Sequence, residues 1–561
     1  MSKSVVQVIV EKLIEARVDY IFGVTGKGIS TLIDATLDFA EIDYVPAKHE
    51  SGAALMAYGY AQGSGKIGVC CATTGGGSTN LATGVATAYM NSMPLLVFTG
   101  QTATGEFGKG AFQESTGIGQ TIDTVAFFDS IAKESIAISD ASKIPEIIDH
   151  AIEVSTSGRM GPVHLNLPFD IQHKKIEYQR PSRKIEKVQD GIFVDNDTLQ
   201  AALSRIEASE KPTFLIGWGG VLSGAVPELL EVAEKMNIPV ASTLQGKGAV
   251  PETHSLYLGY FGLFGHPIVT DYIFEECDLL VAVGTDFDEF TSFNWDDRFL
   301  KNKGIIQVDI DARELGKNYP VDLALHGDAA DIFRQMKKMV AQNDSVAKDS
   351  GDIIMQKIRE EGRVINPESL NDPGVPIKPQ RVMKEIRARV PDHALFLADS
   401  GAHCVWALHY LPVYPGGSFY PNQSLGAMGA SICASMGVKL AKPENPVVCV
   451  CGDGAFLMSG NEIATAGQLN IPVIWVILND SRYNLPAFSM KKQFNRTAGV
   501  DMNPTDFSVF AGALGVKGYR VAHPEELVGA LEEAVSNGQP AVIDVVIDPD
   551  EAPPIGARKL N

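Results

Sequence analysis

The feature that most constrains this chain is a recurring unit, an apolar run of strand length that stops at a glycine-rich turn and gives way to a helix-like segment. DYIFGV runs into TGKGIS, GKIGVCC into ATTGGGSTN, and NPVVCVC into GDGAF. Runs apolar on both faces need a covering layer on each side, and strands that alternate with helices find it in a parallel α/β sheet. Further strand candidates are NSMPLLVFTGQ, GPVHLNLPFDI, PTFLIGWGG, IPVAST, CDLLVAVGTDFDEF, GIIQVDID, HALFLADSG, IPVIWVILND and QPAVIDVVI. They fall into three regions, 1–180, 190–345 and 370–561. Between them lie a charged, proline-containing stretch at about 171–190, read as a linker, and the polar AQNDSVAKDSGD near 341–352. The expected fold class is α/β, three domains with parallel sheets flanked by helices.

Composition removes several function classes. With 45% hydrophobic and 20% charged residues over 561 positions the chain is an ordinary folded one. A net charge of -21 argues against a nucleic-acid surface, which requires positive patches. No apolar run is long enough to span a membrane, and no basic stretch with an apolar signal core begins the sequence, so cytoplasm is the expected location. The seven cysteines include the pairs Cys70-Cys71 and Cys449-Cys451, whose spacing is neither CxxC nor that of a zinc site; they read as buried free thiols.

The segment NPVVCVCGDGAFLMSGNEIATAGQLNIPVIWVILNDSRYN carries the chemistry. One apolar strand ends in GDG and, after a helix, a second ends in ND, which puts Asp453 and Asp480 at the same end of two strands. Ligands of open parallel sheets bind at that end, and Gly452 and Gly454 let the backbone approach a phosphate. Mg²⁺ takes oxygen ligands and bridges carboxylates to phosphates, a role open to Asp453, Asp480 and the carbonyl of Arg482. Each aspartate alone reads more simply as a cap or turn residue. The combined arrangement favours a diphosphate-metal site.

Over essentially its whole length the chain resembles the thiamine-diphosphate enzymes of the acetolactate synthase, pyruvate decarboxylase and benzaldehyde lyase superfamily. Two distant motifs carry the resemblance, the GDG…ND segment and AKHESGAALMAYGYAQGSGKIGVCCATTGGGSTN. The resemblance implies that Glu50 contacts the aminopyrimidine ring and assists its tautomerisation, a role suited to a carboxyl in a dry cleft. From NQSLGAMGASICASMG it implies the Gly426 carbonyl facing the amino group and Met428 wedged beneath the two rings. Gly401, Ala402 and His403 match positions near the diphosphate, and Ala455 and Tyr483 join Gly452, Asp453, Gly454 and Asp480 as cofactor contacts. Sites in the family form between the first domain of one subunit and the third domain of another, so a homodimer or homotetramer is implied.

Reaction type is read from departures as well as matches. Decarboxylases of the pyruvate type carry adjacent histidines where this chain has GKGAFQESTG, an aspartate where Lys27 stands, and a glutamate at the position of Pro486. Gly100-Gln101 and the AFQE stretch instead resemble acetolactate synthases, whose phenylalanine and glutamine match Phe112 and Gln113. Lys27 reads equally as a partner for a substrate carboxylate and as a solvated turn residue. The implied reaction is decarboxylation of a 2-oxo acid such as pyruvate and transfer of the remaining fragment to a 2-oxo acid or aldehyde. Ser489 replaces the tryptophan that restricts the acceptor pocket, and Asp286 stands where FAD-containing relatives have arginine, so FAD is not favoured. The alternatives are an acyloin or benzoin-type carboligase or lyase, and a non-catalytic cofactor-binding homologue.

Overall fold

The computed structural model describes residues 2–179, 194–301, 303–342, 347–422 and 424–554. Its framework is three six-stranded sheets, each wholly parallel. The first contains Tyr20–Gly23 (β1), Asp43–Pro46 (β2), Gly68–Ala72 (β3), Leu95–Gln101 (β4), Glu134–Ala137 (β5) and Pro162–Pro168 (β6) in the order β2-β1-β3-β4-β6-β5. The central sheet contains Pro212–Ile216 (β7), Val240–Ser242 (β8), Tyr257–Tyr260 (β9), Leu279–Val283 (β10), Gly304–Asp309 (β11) and Leu323–His326 (β12) in the order β9-β8-β7-β10-β11-β12. In the third, Leu395–Ala398 (β13), Ser418–Pro421 (β14), Val447–Gly452 (β15), Val473–Asn479 (β16), Lys517–Val521 (β17) and Ala541–Val546 (β18) lie in the order β14-β13-β15-β16-β18-β17.

The first and third sheets therefore have the same topology, strand for strand. The central sheet differs and has the 3-2-1-4-5-6 order of dinucleotide-binding folds. β3, β4, β6, β15 and β16 are buried along their whole length, as expected of runs with no polar face.

The linker reading needs one correction. Lys175–Glu177 is a short strand that pairs antiparallel with Ser2–Ser4, so this part of the stretch is closed into the first domain. Residues 180–190 of that stretch, and 343–346 of the second polar boundary, lie outside the described residues. All seven cysteines are buried thiols outside any disulfide. Among the described residues no helix is long and apolar enough to cross a membrane.

Equivalent helices of the first and third sheets pack against each other. Glu50–Ser64 (α1) and Ala430–Ala441 (α2) each follow the second strand of their sheet. Both are rich in small residues and buried on nearly all sides, the pattern of a helix enclosed by protein. A Cβ on Gly59 would stand 2.0 Å from the Ala434 carbonyl oxygen, and one on Gly437 would stand 2.0 Å from the Met56 carbonyl oxygen. The two helices touch backbone to backbone through reciprocal glycines.

Candidate active site

The residues read from the GDG…ND segment converge on one cavity of about 220 Å³ at the carboxyl ends of the third sheet's strands. Gly452 ends β15, and Asp453, Gly454 and Ala455 begin the helix Asp453–Ser459 (α3). Asp480 and Tyr483 follow β16; Gly401, Ala402 and His403 follow β13; Gly426 and Met428 follow β14. All of these line the cavity. Gly454 has no room for a side chain, since a Cβ there would stand 2.5 Å from the Tyr483 ring.

Electrostatics single out the two aspartates. Burial, and then the neighbouring Asp480, push the Asp453 carboxyl up to about 7. Burial pushes Asp480 up to about 6, although it accepts bonds from the Asn484 side chain and the Arg482 N–H. Asp453 Oδ2 is buried with no hydrogen-bond partner. A buried carboxylate with an orphaned oxygen, beside a half-buried one that repels it, fits a divalent cation that would relieve both. Among the described residues no three His, Cys, Asp or Glu side chains are grouped to hold a metal, so a cation here would draw further oxygens from a ligand or water, as Mg²⁺ does at phosphates. The Arg482 guanidinium points to Asp501, with Nε 2.8 Å from Oδ1, so any contribution from Arg482 to the cation is through its backbone.

His403 is buried and held neutral, its ionisation pushed down to about 3 by burial. Its ring hydrogen-bonds the Asp399 backbone carbonyl, and Nε2 is left buried without a partner. Gly401, at φ +147°, passes so close that a Cβ would lie 2.6 Å from the ring.

Glu50, Gln113 and Lys27 lie elsewhere, at the corresponding end of the first sheet, and none lines the cavity. Glu50 opens α1; its Oε2 accepts a bond from Asn80 Nδ2 at 2.9 Å, and a Cβ on Gly77 would lie 3.3 Å from its Oε1. Gln113, in the left-handed region at φ 62°, packs against Gly75 of the turn after β3, and its carbonyl accepts from the Thr74 hydroxyl. Lys27 is exposed in the turn after β1, where the Gly28 N–H donates to Thr73 Oγ1 at 3.0 Å. Phe112 is 88% exposed. Its loop is held by Glu114, whose carboxylate accepts from the N–H groups of Gly108, Gly110 and Ala111 and from the Thr116 hydroxyl.

Sequence reasoning missed several residues here. Asn484, Trp406 and Leu478 line the cavity, and the Asp548 to Glu551 stretch closes one side, anchored by Lys378 Nζ at 2.7 Å from Asp548 and 2.6 Å from Glu551. Pro486 lines it too, an apolar group with no proton to give. Glu462 is 1% exposed and seated on the start of α1, where its Oε2 accepts the Lys48 N–H at 3.1 Å and its Oε1 has no partner. Burial pushes it up to about 7, with Glu50 contributing. No local sequence signal marks its burial.

Three family models match this chain: thiamine pyrophosphate enzyme, N-terminal TPP binding domain, over residues 3–121; the central domain over 199–336; and the C-terminal TPP binding domain over 399–545. A probable acetolactate synthase large subunit from Methanococcus aeolicus is 35% identical over 572 residues, covering 98% of this chain and 94% of the relative. The probable acetolactate synthase large subunit of Methanocaldococcus jannaschii is 34% identical, covering 98% and 93%. The acetolactate synthase isozyme 3 large subunit of Escherichia coli is 32% identical, covering 97% and 95%.

Proposed function

The chain belongs to the thiamine pyrophosphate enzymes, among relatives of the acetolactate synthase large subunit, and from that premise we propose that it is a decarboxylating carboligase. The donor is pyruvate or a similar 2-oxo acid, and the acceptor a second 2-oxo acid or an aldehyde. One observation supports this reading above the rest: the cavity combines a carboxylate pair suited to Mg²⁺ with a glycine-lined wall, and Pro486 at its rim offers no proton. A lip that cannot protonate the product disfavours release of a free aldehyde and leaves time for an acceptor to react.

When bound, thiamine diphosphate supplies a carbon nucleophile. Asp453, Asp480 and the Arg482 carbonyl would hold Mg²⁺ with the diphosphate. Gly452, Gly454, Ala455, Gly401 and Ala402 give it backbone access, His403 offers its unpartnered ring nitrogen, and Tyr483 flanks Gly454. The Gly426 carbonyl and Met428 would orient the rings. Glu50 would hold the carboxyl proton that serves the aminopyrimidine, Phe112 and Gln113 would exclude water from the reacting end, and Lys27 would pair with a substrate carboxylate. Because Glu50 does not line the cavity of its own chain, the working unit is read as a homodimer, or a tetramer of such dimers, with Glu50 and Phe112 facing a cavity of the partner. Exposed Phe112, Ile118, Ile122 and Phe127 on the first domain, and Leu425, Leu457, Met458 and Leu485 on the third, supply apolar surface for that contact.

FAD has no part in the proposal. The central sheet has a suitable strand order, but its strand ends carry Asp286 and Asp309, and Arg159 is already paired with Glu314 at 3.1 Å. Two half-buried carboxylates at these strand ends repel a dinucleotide's diphosphate, so this domain is read as structural.

The test is incubation with thiamine diphosphate and Mg²⁺, first with pyruvate alone and then with aldehyde and 2-oxo acid acceptors, identifying products by mass spectrometry alongside CO₂. Acetolactate from pyruvate alone supports the reading. Acyloin exchange or cleavage without CO₂ overturns it in favour of the lyase alternative.

A further inference from the structure

Asp399 lies behind the cavity, its carboxylate bonded to one wall and its backbone carbonyl to the other. It directly follows β13 and is fully buried. Oδ2 accepts the Gly429 N–H at 2.6 Å; Oδ1 accepts the Ser431 N–H at 3.1 Å and the Asn422 side-chain amide at 3.2 Å. The same Asn422 amide donates to the Ala427 carbonyl at 2.6 Å. One side chain thus gathers the two ends of the segment carrying Gly426 and Met428 and also satisfies N–H groups at the start of α2, where Gly429 in the N-cap position has no side chain to do so. The backbone carbonyl of Asp399 holds the His403 ring on the opposite wall.

Such a group is costly to a fold. Its side-chain partners are neutral N–H donors, and burial pushes its carboxyl up to about 6 despite them. An apolar residue with a self-capping Ser or Asp at the helix start would serve stability alone. The arrangement makes sense if the distance between the walls matters.

Resting on the cofactor reading above, we propose that Asp399 is a positioning residue that sets the Gly426–Met428 support against the Gly401–His403 wall, and so fixes the bent shape in which a two-ring cofactor is held. Its side chain governs the ring support, while its backbone serves the diphosphate wall. Substitution should therefore separate recognition of the rings from recognition of the diphosphate.

The experiment measures binding of thiamine diphosphate and of inorganic pyrophosphate, each with Mg²⁺, by calorimetry on the intact wild-type protein, Asp399→Asn and Asn422→Ala. Asp399→Asn keeps the shape but turns an amide toward N–H donors; it should weaken thiamine diphosphate by about tenfold or more and leave pyrophosphate unchanged. Asn422→Ala keeps the carboxylate and cuts the tie to Ala427, and should show a smaller loss of the same kind, which preserves the test if Asp399→Asn does not fold. Equal losses for both ligands, or no loss for either, would overturn the positioning role. Wild-type protein that binds thiamine diphosphate but not pyrophosphate would also overturn it, since the diphosphate wall would not be a separate anchor. Failure of the wild type to bind thiamine diphosphate would defeat the underlying reading instead, and the inference with it.

Discussion

The first and third sheets are built on one plan and do opposite things with it. Their strand orders are identical, and their equivalent helices α1 and α2 meet through reciprocal glycines. At the third sheet the turns after β13, β14, β15 and β16 enclose a cavity lined by buried Asp453 and half-buried Asp480. At the first sheet the corresponding turns leave Lys27 and Phe112 exposed and bring Glu50 to the head of α1. α2 begins with Ala430 and takes its capping carboxylate from Asp399; α1 begins with the acid itself. The lesson is that topology places a crevice at the strand ends, while a few turn residues decide whether it binds a phosphate or presents an acid.

The sharpest way to break this division is at Glu50. Glu50→Gln should lower turnover by about 10²–10⁴-fold while thiamine diphosphate still binds, checked by steady-state kinetics and calorimetry together. Loss of binding in step with activity would place Glu50 in the anchoring half. Next in size is the seam between the halves. Gly437→Ala drives a Cβ onto the Met56 backbone and should cost about 2–3 kcal/mol, read as a lower denaturation midpoint.

Glu462 sharpens the comparison through pH. Its carboxyl stands at about 7 against an ordinary 4.5, so the folded protein keeps a proton that the unfolded chain has lost. Its contribution to stability is full below pH 4.5 and is lost as pH rises to about 7. Glu462→Gln has no such proton to lose, and relative to wild type should gain stability across that window, by up to about 3 kcal/mol in denaturant titrations. A constant offset between the two proteins would contradict the assignment. The smallest effect on the isolated chain belongs to Phe112→Ala. At 88% exposure it should move stability by less than about 0.5 kcal/mol, yet raise KM for substrate in the assembled enzyme.

Much of the third-sheet site could be read from local signals. A strand ending in GDG and a neighbour ending in ND specify strand ends and turn chemistry within one short segment, and their residues do meet. What could not be read depends on contacts between distant segments. Nothing in SGNEIATAG says that Glu462 leaves solvent to sit on the helix of Glu50, and nothing in ADSG says that Asp399 reaches Gly429 and Ser431. The polar stretch after residue 171 reads as a linker because pairing of Lys175–Glu177 with Ser2–Ser4 is a choice of partner, not of composition. The identity of the first and third sheet orders was likewise hidden, since strand order is set by crossovers that leave no local mark.

The central claim is that Glu50 of one chain serves the cavity of another. Glu50→Gln and Asp453→Asn chains, each inactive alone, should be dissociated, mixed and reassociated before assay. If sites are shared, each mixed dimer has one site with both defects and one with none, so random pairing should restore about a quarter of wild-type activity. Mixed samples that stay as inactive as the separate variants, with mixed dimers demonstrated by mass spectrometry, would contradict the account.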